Sequence, residues 1–229
     1  MGHKTVIQFR FILILGLVIL TYISNLIYIK LPFFSASFSE KDISQGLLSF
    51  YLSFFPHIKV EFQMYNLQVI TIWAYSIIFG PIFSTTSILI YLFLGFIGLP
   101  IFAGGGGLNY FNEPTFGYLI SLPLLAYLSG YIYKKNSRLL SVFLPIVGVH
   151  LIGIFYLFIF KQEYINLAWY MSFSMIGYDI LFGFLLLPIM PFMSFILHEM
   201  FIQEIPTIDH DGTDKQITKT FSRFKKQIV

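Results

Sequence analysis

Of the 229 residues, 57% are hydrophobic, 20% aromatic and only 11% charged, a balance that excludes an ordinary soluble domain and points to an integral membrane protein. A net charge of +3, with the basic residues scattered at the ends and in one short loop, excludes a nucleic-acid stripe. Without cysteine there is no disulfide framework, thiol nucleophile or thiolate metal site.

Apolar runs of spanning length fall at about 10–29, 66–82, 84–98, 115–133, 139–160 and 171–200, against the roughly 17 to 25 residues a helix needs to cross a bilayer. Lys4 and Arg10 before the first run, with "SAS" at Ser35–Ser37, have the outline of a signal peptide. The run from Phe11 to Ile29 is too long for that, so it is read as a retained first helix. A long loop follows at about 30–65. Within it "SEKDISQGLLSFYLSFF" has Ser39 and Asp42 at capping-box spacing and Ile43, Leu47, Tyr51 and Phe54 on one helical face, which predicts a helix lying flat on the outer surface. Spans two and three are separated only by "FGP" at Phe79–Pro81 and form a tight helical hairpin.

Cationic residues set the orientation. Lys4 and Arg10, the "KKNSR" loop at Lys134–Arg138, and Lys215, Lys219, Arg223, Lys225 and Lys226 in the tail all fall on one side, which places both termini in the cytoplasm. The glycine loop from Leu99 to Pro114 and "KQEYIN" at Lys161–Asn166 then lie outside. Residues 1–203 read as a single transmembrane domain of six helices, and 204–229 as a basic cytoplasmic tail. In that tail Ile217, Phe221, Phe224 and Ile228 form an apolar stripe beside the cations, suited to an anionic lipid surface.

The candidate site residues are those that cost energy to place in a membrane, and those that gather polar groups at one level. Asp179 in "MIGYDILFG" lies about a third of the way down the last span from the outside. Asn66 and Gln68 in "YNLQV" begin span two at that same outer level. Gly104, Gly105, Gly106 and Gly107 allow positive φ and close backbone approach. After them "NYFNEPTFGY" concentrates Asn109, Tyr110, Asn112, Thr115 and Tyr118 at the mouth of span four. Few polar groups on apolar walls is how small-molecule sites are built, so these three segments predict an outward-facing pocket with the glycine loop as its lid. His150, near the middle of span five, is read first as a satisfied interior residue. "HEM" at His198–Met200 begins like a zinc-peptidase motif, but Ile202 stands where the second His would be, so no metal is expected.

The stretch "YLFLGFIGLPIFAGGGG" followed by "EPTFGYLIS" resembles the signature of the BioY family, the biotin-binding S components of energy-coupling factor (ECF) vitamin transporters. Their members show a Tyr-Leu run, Gly-Leu-Pro-Val-Phe, a glycine-rich loop and then Gly-Pro-Thr-Gly-Gly-Tyr-Leu. The likeness covers roughly residues 64–190 and is most specific at Gly98–Phe102 and Pro114–Leu119. "NLQV" is similar to the family's Thr-x-Gln entry to the second helix, with Asn66 in place of threonine. The resemblance implies a six-helix bundle in the cell membrane, a biotin pocket opening outwards, no reaction and no cofactor. It also implies partners: a transmembrane coupling subunit with paired ABC-type ATPases that drive release inside. The family's last helix carries Asp-x-x-Lys against the vitamin; Asp179 matches the Asp, and Phe182 stands where the Lys would be. Either the amides of Gly104–Gly107 and nearby hydroxyls take the ligand carboxylate, or the ligand is a related small molecule other than biotin.

Two rival readings come from other classes. One is a small acyl or lipid transferase with His150 as base and Asp179 as its orienter. The other is a membrane assembly protein whose functional part is the basic tail.

Overall fold

The computed structural model describes residues 2–37 and 57–202. The surface helix expected at 39–54 and the basic tail lie outside these residues. Helix α1 (Gly2–Leu26) is followed by strands β1 (Tyr28–Ser37) and β2 (His57–Asn66), then α2 (Gln68–Phe79) and α3 (Pro81–Phe96). A 3-10 turn at Leu108–Asn112 leads to α4 (Phe116–Lys134) and α5 (Arg138–Phe160); α6 (Ile176–Leu186) and α7 (Met190–Ile202) are the last helices of the described residues.

The fold is mostly helical, with one correction to the all-helical expectation. The two ends of the long first loop pair as an antiparallel hairpin, Tyr28 opposite Asn66 through Ser37 opposite His57. The cause is a period-two pattern inside a segment read as loop. In β2 Val60, Phe62 and Met64 are exposed, while Gln63 and Tyr65 between them turn inwards. Apolar side chains thus face outwards and polar ones inwards, the reverse of a strand over an apolar core.

Helices α4 and α5 are long and apolar enough to cross a membrane, with mean hydropathies of 1.3 and 2.4. The last span, expected to be continuous, is broken. A π-helical turn at Trp169–Phe173 precedes α6, and Met171–Leu186 meets Met190–Leu197 at 63°. Pro188 and Pro191 supply the cause, because proline lacks an N–H and its ring clashes with the preceding turn. Counted as one segment, that bent pair is a third stretch long and apolar enough to cross; Arg10–Leu26, Gln68–Phe79 and Pro81–Phe96 are shorter apolar stretches. Along α5, Leu140, Phe143, Leu144, Leu151, Phe155 and Phe158 recur at helical spacing and are exposed. A face so apolar and so open is stable against lipid, not water.

Helix α4 lies at the centre, packed along α5, α2 and α3, while α1 lies on α3 and α2, and α6 on α5 and α2. Because lipid competes with apolar side chains as a solvent, close packing and hydrogen bonds between helices hold such a bundle. Trp73 Nε1 of α2 donates to the Ser141 carbonyl of α5 at 2.8 Å, and the Thr21 hydroxyl of α1 meets that of Tyr75 of α2 at 3.0 Å. The α2–α3 turn follows the sequence expectation: Gly80 adopts φ 88° and Pro81 opens α3. It presses against Gly130 of α4, where an added Cβ would lie 2.5 Å from the Ser76 carbonyl oxygen and 2.8 Å from the Pro81 nitrogen.

Backbone on both sides of that contact leaves no flexible group to yield. Gly130→Val is expected to lower stability by about 3 kcal/mol, read as a lower thermal midpoint in detergent; an unchanged midpoint would show that the turn is not seated there.

Candidate functional site

The centre of the site is Asp179, in the first turn of α6 and 2% exposed. A carboxylate taken out of water requires donors on both oxygens. It has them from two different elements. The Tyr65 hydroxyl on β2 donates to Oδ1 at 2.5 Å, and His150 Nε2 on α5 faces Oδ2 at 3.0 Å. Burial first, then the Asp179 charge and the hydrogen bond to it, push the Tyr65 phenol far above its ordinary range, so it stays a neutral donor. His150 is 3% exposed, and its other ring nitrogen, Nδ1, has no hydrogen-bond partner among the described residues. The ring stands edge-on to Tyr118 of α4, 6.3 Å between centroids, and the Tyr118 hydroxyl meets that of Ser172 in the π-helical turn at 2.8 Å.

Above these groups lies a cavity of about 410 Å³, within the size range of small-molecule pockets. Of the residues predicted from sequence, Asp179, Asn66, Gln68, Tyr110, Thr115 and Tyr118 line it. Asn66 Nδ2 donates to the Asn25 carbonyl at 3.0 Å while its Oδ1 accepts from the Gln68 amide at 2.7 Å, so one side chain fixes both the end of the hairpin and the start of α2. Gln68 Nε2 reaches the Tyr91 hydroxyl at 3.4 Å, and Tyr91 donates to the Ile101 carbonyl at 2.8 Å. The Tyr110 and Thr115 hydroxyls meet at 2.9 Å.

The remaining predicted residues are elsewhere. Gly104, Gly105, Gly106 and Gly107 do not line the cavity. Gly105 and Gly107 adopt φ 113° and 93°, as glycine allows, but the loop folds onto the end of α3. Phe102 and Gly105 exchange backbone hydrogen bonds at 2.9 and 3.0 Å, and the Gly107 amide donates to the Gly95 carbonyl at 2.7 Å. A Cβ on Gly106 would lie 2.1 Å from the Leu99 carbonyl oxygen, so this residue type is required by close approach of the chain to itself. Asn109 and Asn112 are exposed. Phe182 packs on Tyr65 and Tyr178, with ring centroids 5.3 and 6.5 Å apart, and so props the tyrosine that binds Asp179.

Tyr65 is the functional residue that sequence reasoning missed, along with Asn25, Tyr28 and Gln63 on the cavity wall. The signal for Tyr65 was the alternation in "KVEFQMYN", which marks a strand with a polar inner face. His150 was read first as a satisfied interior residue and was paired with Asp179 only in the transferase reading; the structure brings the two into contact across two helices.

Taken together, these features define a helical membrane protein whose bundle and hairpin enclose a pocket of small-molecule size around one buried acid. The chain belongs to the BioY family, whose model matches residues 44–198. It is 27% identical over 119 residues to the "Probable biotin transporter BioY" of Lysinibacillus sphaericus, covering 49% of this chain and 61% of that protein. It is 35% identical over 89 residues to the "Probable biotin transporter BioY" of Pyrococcus horikoshii, covering 38% and 54%. The chain thus spans between about two fifths and two thirds of the curated relatives it matches, 61% and 54% of these two. Among solved structures it is similar to an S-component for biotin from an ECF-type ABC transporter, at 18% identity and a TM-score of 0.40 over 88% of this chain and 92% of that one.

Tyr65→Phe removes a donor from a buried carboxylate and keeps the ring on Phe182. The expected result is a stability loss of about 2 kcal/mol, measured by thermal unfolding in detergent; no loss would mean that the hydroxyl is not bonded to Asp179.

Proposed function

We propose that this chain is the substrate-binding membrane subunit of an uptake system for biotin or a closely related small molecule. It captures the ligand from the outer side, and an ATP-driven module of a transmembrane coupling subunit and ABC-type ATPases drives release inside. Family membership carries the reading. The pocket supports it: apolar walls, ring-shaped neighbours and a few amides, hydroxyls and one acid suit a small molecule with both apolar and hydrogen-bonding parts. The binding groups in this reading are Asp179, Tyr65, His150, Asn66, Gln68 and Tyr118, and binding alone, without a covalent step, is the chemistry. The protein lies in the cell membrane as a multi-pass chain of six crossings with both termini inside, residues 1–203 forming the membrane domain and 204–229 the tail.

One observation favours the rival transferase reading, the contact between His150 and Asp179. In that reading the imidazole is the base on an acceptor hydroxyl that the substrate brings, since the nearby Ser172 and Thr115 hydroxyls are bonded to tyrosines.

Saturating biotin is expected to raise the thermal midpoint of the purified protein and to give a binding isotherm by calorimetry; no shift and no heat would overturn the biotin reading. Asp179→Ala should abolish that binding. Because the natural chain has no cysteine, single cysteines can report its sidedness. One placed at Asn136 should react with impermeant reagents only from the inside and one at Asn109 only from the outside; the reverse pattern would overturn the orientation.

A further inference from the structure

We propose that the pocket takes up one proton on the His150–Asp179 pair when it binds an anionic ligand. This rests on the reading of the ligand as a carboxylate-bearing molecule such as biotin. The described residues that line the cavity include one acid, Asp179, and no lysine or arginine. A ligand carboxylate there is a second negative charge in an apolar chamber, unfavourable unless a positive charge forms beside it.

The titratable groups facing His150 among the described residues are Asp179 on α6, Tyr65 on β2 and Tyr118 on α4. Tyrosines donate hydrogen bonds but bring no positive charge, so the imidazole is the group in the cavity wall that can become a cation. Its Nε2 is already engaged with the Asp179 carboxylate, which as an acceptor fixes the hydrogen on that nitrogen. Nδ1 is therefore the position for the added proton. It is buried and has no partner among the described residues. In the empty pocket a hydrogen on Nδ1 would be a buried donor without an acceptor, which is costly. A carboxylate arriving in the cavity supplies the negative charge that offsets the added positive one. Proton and anion thus each favour the other, and the coupling is reciprocal.

The sign follows. The occupied pocket holds more protons than the empty one, so affinity for the anion rises as pH falls, by about tenfold per pH unit for one proton. The rise levels off once the empty pocket is itself protonated. The proton comes from water, and no bond other than its own N–H is made.

The test uses the full chain in detergent, with biotin and its uncharged methyl ester titrated calorimetrically from about pH 5 to about pH 8 in buffers of different ionisation enthalpy. The expected result is that biotin loses affinity about tenfold per pH unit over part of that range and takes up one proton per molecule bound. The ester binds with no pH dependence and no proton uptake, and His150→Gln flattens the biotin profile. Biotin and ester binding alike, with flat profiles and no proton uptake, would overturn the proton coupling and leave the ligand reading standing. Binding of neither compound at any pH would overturn both. If His150→Gln does not fold, the proton count on the natural chain decides alone.

Discussion

Asp179, the one buried carboxylate among the described residues, organises this molecule. Asp179 lies in the last third of the chain, and its donors come from the first strand pair and from α5. An acid in a low-dielectric interior is tolerated only while those donors hold it, so the hairpin, α5 and α6 are bound to one arrangement. The second tier of hydrogen bonds serves the same end. Phe182 packs behind Tyr65, Tyr118 lies edge-on to His150 and is itself fixed by Ser172, and Asn66 joins the hairpin to α2.

The cavity gains its character from this arrangement. Most of its wall is ordinary bundle packing, apolar and shaped by the close approach of α4 to α5 and α2. What distinguishes it from a packing defect is that polar groups from separate elements line the same chamber and are satisfied in pairs: Tyr65 with Asp179, Tyr110 with Thr115, Gln68 with Tyr91, and Tyr118 with Ser172 behind it. Such pairs can exchange a partner for a ligand at modest cost, because a hydrogen bond lost is replaced by one gained.

How much of this was legible in the sequence depended on the range of the interaction. The helical stretches followed from unbroken apolar runs, and the Gly80–Pro81 turn from the local chemistry of its two residues. Asp179, Asn66, Gln68, Tyr110, Thr115 and Tyr118 could be found because a polar residue at the edge of an apolar run stands out. The hairpin was missed because its pattern is short and runs inverted, with apolar groups outwards. The bend near Pro188 was missed because the hydropathy of the run continues across it. The glycine run was read as presenting its amides to a ligand; the structure has those of Gly105 and Gly107 bonded within the loop and to α3. Sequence shows that a backbone can approach something closely, and leaves open what it approaches.

Tyr178 and Asp179 are successive residues, and both are bonded to the hairpin: Tyr178 donates to the Pro32 carbonyl on β1, and Asp179 accepts from Tyr65 on β2. The two strands are therefore tied to α6 independently, one on each side of the sheet's register. A shift of α6 draws both strands with it. The helix that carries the acid and the hairpin beside it are therefore joined at two points, so the position of the acid depends on the register of both strands.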